Sequence, residues 1–149
     1  MIVRHGKEED LAFVLALSKE RIEDSSLTMA ELADGLLFQN LGLLVLADEK
    51  DSAHGYLLLR LEGEEAEVDE IAVLAEDSGK GLGYLLLSAG EEELRKNGVK
   101  TLFLEVRTKN GQARKLYQED GFVFYRERKG LYGNDSAYCL RKEISSYER

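Results

Sequence analysis

Residues Ile71-Ala72-Val73-Leu74-Ala75-Glu76-Asp77-Ser78-Gly79-Lys80-Gly81-Leu82-Gly83-Tyr84 decide how this chain folds. The stretch leaves an apolar strand, crosses a glycine-rich loop and enters a helix whose Leu82, Leu85, Leu86 and Ala89 are spaced for burial. That helix ends near Asn97-Gly98, a natural C-cap. A strand–loop–helix junction presents unpaired N–H groups and the positive end of the helix dipole, which suits a pyrophosphate. Glycines let backbone approach phosphates without a Cβ clash, and Lys80 adds a charge. Three glycines in five residues also describe a plain flexible loop, and that reading stays open. Two other phosphate loops fit worse. The Walker pattern G-x-x-x-x-G-K-[ST] is absent, and G-x-G-x-x-G needs a βαβ start and a third glycine one residue later.

Upstream, Ile2-Val3-Arg4 reads as a first strand. A helix follows with Glu8, Glu9 and Asp10 at its N-terminal end and a stripe of Leu11, Val14, Leu15, Ser18 and Ile22. Thr28 and Glu31 form a capping box for a second helix carrying Met29, Leu32 and Leu36. Leu43–Ala47, Gly55–Leu61 and Ala66–Val73 are strands joined by short polar turns, hence antiparallel. Downstream come the strand Thr101–Val106, a helix Gln112–Asp120 stopped by Gly121, and a hairpin of Phe122–Arg128 with Ala137–Arg141. The predicted order is β-α-α-β-β-β-α-β-α-β-β. It forms a single domain over residues 1–149 of α/β (α+β) class, with a mixed, mostly antiparallel sheet and helices on both faces.

The 149 residues are 44% hydrophobic and 33% charged, enough for a core without disulfide or metal. The net charge of −9 lacks the basic footprint of a nucleic-acid binder, so no direct nucleic-acid partner is expected. An acidic surface attracts a cationic substrate or simply keeps the chain soluble. With one cysteine, Cys139, and two histidines, no metal-ligand spacing appears, and no metal is expected. The N-terminus has no apolar signal core and no run approaches the ~18 residues of a membrane span, so a cytoplasmic protein without membrane contact is expected.

Two motifs make the pattern specific. Ile71-Ala72-Val73 with Ser78-Gly79-Lys80-Gly81-Leu82-Gly83 resembles the acetyl-CoA motif [QR]-x-x-G-x-[GA] of the GNAT superfamily of N-acetyltransferases. Asn110-x-x-Ala113-x-x-Leu116-Tyr117-x-x-x-Gly121-Phe122 resembles its second signature. Ser78 stands where that family usually has Gln or Arg, which implies a loop pinned less firmly. The resemblance implies acetyl-CoA as co-substrate. It implies that the strand before the loop splays from its neighbour, and that Ile71, Ala72 and Val73 bind the pantetheine arm. The Val73 N–H would polarise the thioester carbonyl. The loop residues Gly79, Lys80, Gly81, Leu82, Gly83 and Tyr84 would hold the pyrophosphate, and Asn110 would contact the cofactor near the split.

Acetyl transfer needs a neutral amine, a stabilised oxyanion and a proton for the leaving thiolate. By the same resemblance Tyr117 is the general acid; the alternative is a core tyrosine. Glu105, inside the apolar strand Leu102–Arg107, reads as a general base strengthened by burial, or as one half of an ion pair with an arginine such as Arg107. Glu70 is a rival base, or part of a solvated acidic strand end with Glu67 and Asp69. His5 and His54 read as surface residues and Cys139 as a small strand hydrophobe.

Within the superfamily, Leu104-Glu105-Val106-Arg107, Asn110, Leu116-Tyr117 and, more weakly, Tyr132 with Asp135-Ser136-Ala137 look most like the ribosomal-protein-alanine N-acetyltransferases. Ser25-Ser26-Leu27-Thr28 replaces the Pro-Trp usual there, and the last hairpin loop, Lys129–Asn134, is short. An α-amine of pKa ~8 is roughly a tenth neutral at pH 7, a lysine amine of ~10.4 less than a thousandth. The expected acceptor is therefore a protein N-terminus, possible in a ribosomal protein, with lysine, polyamine or another small amine as the alternative. A non-catalytic acyl-CoA sensor is the reading from another class. A monomer and a homodimer fit equally.

Overall fold

The computed structural model describes every residue except 24, 38, 133, 134 and 145–149, and for residues 131, 132 and 135 the backbone only. Strand β1 (Ile2–His5) leads through a 3-10 turn at Glu8–Asp10 into helix α1 (Leu11–Arg21), then α2 (Met29–Leu37). Strands β2 (Leu41–Ala47), β3 (Ala53–Glu62) and β4 (Glu65–Val73) follow. Next come α3 (Leu82–Lys96), β5 (Thr101–Arg107), α4 (Gly111–Glu119), β6 (Val123–Tyr132) and β7 (Asp135–Glu143). This is the order expected from the sequence. The side chains of Tyr132 and Asp135, and the loop residues 133 and 134, lie outside the described residues.

All strands join one sheet of order β1-β2-β3-β4-β5-β7-β6, in which only β4 and β5 run parallel. Helices α1 and α2 cover one face, with Leu11, Val14, Leu17 and Leu32 buried against Val45, Tyr56 and Leu58. Helices α3 and α4 cover the other, with Leu86, Leu87, Leu94 and Tyr117 against Leu57, Leu102 and Leu104. Period-two alternation in the strands feeds both layers.

Three local details differ from expectation. Glu8–Asp10 forms a 3-10 turn because Arg4 draws Asp10 into a two-bond pair of 2.9 and 3.0 Å. Only half of the capping box closes: Thr28 Oγ1 accepts the Glu31 N–H at 3.1 Å, while the Thr28 hydroxyl itself donates to Glu31 Oε1 at 3.0 Å. On α3, Leu85 is 40% exposed, and the buried stripe is Leu86, Leu87, Gly90, Glu91 and Leu94. The stripe is rotated because Gly90 lies directly over Leu57, where a Cβ would collide with the leucine side chain. A helix-interior glycine costs about 1 kcal/mol against alanine, and here it lets α3 sit close to the sheet.

Candidate active site

Strand β4 decides the site. Toward β3 it pairs along its whole length, with one bulge at Asp69. Toward β5 only Glu65, Ala66 and Glu67 are in register, and from Val68 onward the strands part. The Leu74 N–H donates to the His54 carbonyl at 2.8 Å, and antiparallel alternation then turns the backbone of Ala72 and Glu70 toward β3. Ile71 and Val73 therefore offer their N–H and C=O groups to the gap. A groove of about 1110 Å³ fills that gap, running from the glycine loop past Val73 to Glu105 and Tyr117.

The glycine loop closes one end. Gly79 and Gly81 adopt φ of +78° and +76°, and no atom lies within 4 Å of where their Cβ atoms would be. A non-glycine residue would be strained there, and any side chain would project into open space that a ligand needs. Gly81 is also the N-cap of α3, with no side-chain cap, so the first N–H groups of Leu82 and Gly83 stay available to an anion. Tyr84 is exposed at the groove rim. A pantetheine arm along Ile71 and Val73 and a pyrophosphate at the loop fit these donors.

The opposite wall is β5 and α4. Asn110 caps α4, its Oδ1 accepting the Ala113 N–H at 3.1 Å, and it lines the groove. Tyr117 is 6% exposed, stacked edge-on against Phe122 at 5.7 Å. Burial pushes its hydroxyl up, which keeps it protonated, and it has no hydrogen-bond partner among the described residues. Leu104 and Val106 point to the same core as Tyr117, so Glu105 between them points to the other face.

Glu105 is 26% exposed and pairs with Arg128 of β6 at 2.5 Å. The expected ion pair with an arginine is present, but Arg107 is not the partner: its guanidinium meets Glu23, after α1, at 3.0 Å. Glu105 and Arg107, two apart on β5, both point to the α1 side; Arg128, set across Ala137 of β7 from Arg107, reaches Glu105 on the diagonal. Cys139 is buried as expected, and its Sγ–H also reaches Glu105 Oε1 at 3.6 Å. Glu70 is no solvated strand end. Its Oε1 accepts from the Tyr56 hydroxyl at 2.6 Å and the Ser18 hydroxyl at 2.8 Å. Glu67 is raised by burial first, then by Asp69 and Glu105.

His5 is an exposed residue 3.1 Å from Glu93. His54 is not a surface histidine. It is half-buried between two carboxylates, with Nδ1 2.8 Å from Asp77 and Nε2 2.8 Å from Asp48. Arg128 was not legible because its reach depends on the β6 bulge at Tyr125. Asp77 carried a readable signal: a carboxylate just ahead of an anion-binding loop demands a cation. Among the described residues no His, Cys, Asp and Glu cluster suits a metal ion, and no helix is long and apolar enough to cross a membrane.

The Acetyltransferase (GNAT) family model matches residues 11–122. The ribosomal-protein-S18-alanine N-acetyltransferase of Escherichia coli superposes with a TM-score of 0.85 at 25% identity, covering 99% of this chain and 96% of that one. A ribosomal-protein-alanine N-acetyltransferase from Brucella melitensis gives 0.82 at 22% identity, covering 96% and 99%. A variant spermidine N-acetyltransferase from Vibrio cholerae gives 0.83 at 20% identity, covering 97% and 95%. No curated protein matches the sequence. With its matched family model, split strands and glycine loop, the chain belongs to the GNAT acetyltransferase family and is an acetyl-CoA-dependent N-acetyltransferase.

Proposed function

We propose that residues 1–149 act as one catalytic domain that acetylates the N-terminal α-amine of a protein, one that begins with alanine, as in a ribosomal protein. The observation that carries this is the placement of Glu105 and Tyr117 on opposite faces of one groove, where β4 and β5 part. The likeness to the E. coli enzyme over nearly the whole chain supports it.

Bound acetyl-CoA supplies the acetyl group as a thioester. The residues of this chain then have three tasks. Glu105 takes a proton from the incoming ammonium, directly or through water. The Val73 N–H, free of β3, donates to the carbonyl oxygen as it gains charge. Tyr117, kept protonated by burial, gives its proton to the departing thiolate sulfur. Arg128 holds the Glu105 carboxylate in place from β6. The single cysteine is a buried free thiol, which fits a reducing compartment such as the cytoplasm.

A second reading has its own observation. Asp69 and Glu105 line the groove and, after burial, add to the rise of nearby Glu67, and that acidic rim suits a polycation such as spermidine. The deciding measurement is kcat/KM for an alanine-starting peptide against the same peptide with a blocked N-terminus and a free lysine, and against spermidine. The α-amine reading expects the first to win. A better rate on either of the others overturns it and leaves the family assignment standing. CoA binding without turnover on any acceptor would make the chain a sensor.

A further inference from the structure

The GNAT loop of this chain has Ser78 in place of the usual Gln or Arg, yet something else fixes it. Asp77, 6% exposed, ends the 3-10 turn that leads into the loop. Its Oδ2 meets His54 Nδ1 at 2.8 Å, and its Oδ1 meets Lys80 Nζ, inside the loop, at 3.2 Å. The other imidazole nitrogen, Nε2, meets Asp48 Oδ2 at 2.8 Å. Asp48 is itself immobilised, because its Oδ1 accepts the N–H groups of Lys50 and Ser52 at 2.9 Å each. A continuous chain of contacts thus runs Asp48–His54–Asp77–Lys80, from the β2–β3 turn into the glycine loop.

We propose that His54 is a positioning residue for the CoA pyrophosphate: clamped between Asp48 and Asp77, it holds the glycine loop in its binding shape and neutralises the carboxylate beside the anion. The inference rests on the acetyl-CoA reading of the groove. An imidazole facing two carboxylates must donate from both nitrogens, so it is the imidazolium that makes the clamp. The four side chains then carry two positive and two negative charges. Loss of the His54 proton leaves one net negative charge where a pyrophosphate must sit, and sets a bare ring nitrogen against a carboxylate.

Asp77 and then Asp48 raise His54, and His54 lowers both carboxylates. Lys80 flanks Asp77 from the loop. Beyond the Asp48 turn, Asp51 is taken by Arg4 at 2.6 Å and Lys7 at 3.7 Å. The sign follows from a raised histidine: the clamp is intact below its ordinary range and is lost as pH climbs through the raised value. CoA affinity should therefore weaken on the alkaline side.

The test is calorimetric titration of CoA into the full chain between pH 7 and 9.5, above the phosphate titration near 6. Wild type should lose affinity across that range. His54→Asn should bind about tenfold more weakly at pH 7 and show no alkaline loss. Asp48→Asn, which touches neither loop nor cofactor, should weaken binding in the same direction by a smaller factor. Pantetheine, which lacks the pyrophosphate, should bind all three proteins alike by NMR titration. Equal CoA affinity in wild type and His54→Asn overturns the proposal alone. A pantetheine loss as large as the CoA loss also overturns it, since that marks general damage. A wild type that binds no CoA at any pH overturns the cofactor reading, and the proposal with it.

Discussion

One strand has two edges, and they behave differently. Against β3, β4 forms an antiparallel ladder with a single bulge; against β5 it holds three residue pairs and then lets go. The paired edge satisfies backbone groups in the core, where an orphaned N–H or C=O costs about 1–3 kcal/mol. The open edge leaves the same kind of group, on Ile71 and Val73, without a strand partner beside a groove. Stability and chemistry are thus divided between odd and even residues of one segment. Ala72 belongs to the ladder, while Ile71 and Val73 face the groove.

Substitutions can break this division at several strengths. At the open end, Gly81→Glu puts a carboxylate and a strained φ of +76° at the uncapped start of α3, the proposed pyrophosphate site, and calorimetry should find CoA binding abolished. Across the groove, Tyr117→Phe removes only a hydroxyl with no hydrogen-bond partner among the described residues. Single-turnover rates should fall roughly 10²–10⁴-fold with the melting curve nearly unchanged. An unchanged rate would make Tyr117 a packing residue.

The sharpest contrast lies between neighbours. Val73→Pro deletes an N–H aimed at the groove, so single-turnover rates should fall roughly 10²–10³-fold in a folded protein. Ala72→Pro deletes a ladder donor and leaves a buried carbonyl of β3 unpaired, which should cost about 1–3 kcal/mol of stability in a denaturant titration. The reverse outcome would reverse the assignment of edges.

The smallest effect concerns a charge cluster remote from the split. Glu91 of α3, one of its oxygens without a partner, shares Lys142 with Asp120 at the end of α4. Burial pushes Glu91 up to about 7, helped by Asp120 and opposed by Lys142. Its raised value means that its contribution is fully present below about 4.5 and lost as pH rises through about 7. Glu91→Gln should therefore raise Tm at pH 8 by a few degrees, about 2–4 °C per kcal/mol, and change it little at pH 5. A loss of Tm at pH 8 would mean that the ion pair with Lys142 outweighs the burial of charge.

The parts of this molecule that follow local rules were legible in the sequence. The element order, the antiparallel run β2–β4 and the strand–glycine loop–helix junction come from periodicity and turn chemistry, which act over a few residues. The groove residues Glu105 and Tyr117 could be named because each sits in a recognisable local setting. Their partners could not. Arg128 reaches Glu105 through a β6 bulge, His54 meets Asp77 through a sheet register, and Ser18 meets Glu70 across two layers. Each contact joins residues 23 or more apart in sequence, and side-chain pairing at that range is fixed by packing rather than by pattern. Leu85 shows the same limit within one helix. Its spacing allowed burial, and the close seat of Gly90 on Leu57 turned it outward.

That seat has a mechanical consequence. Gly90 is a fulcrum: eight residues separate it from Leu82, a lever arm of about 12 Å at 1.5 Å per residue. A methyl group added at the fulcrum must lift or tilt the rod, and the free end of the rod carries the uncapped N–H groups proposed to hold the phosphates. A polymorphism at this hidden position would therefore read out as weakened nucleotide affinity, far from any atom the nucleotide touches. Drift in the interior and tuning of the cofactor are, at this one residue, the same event.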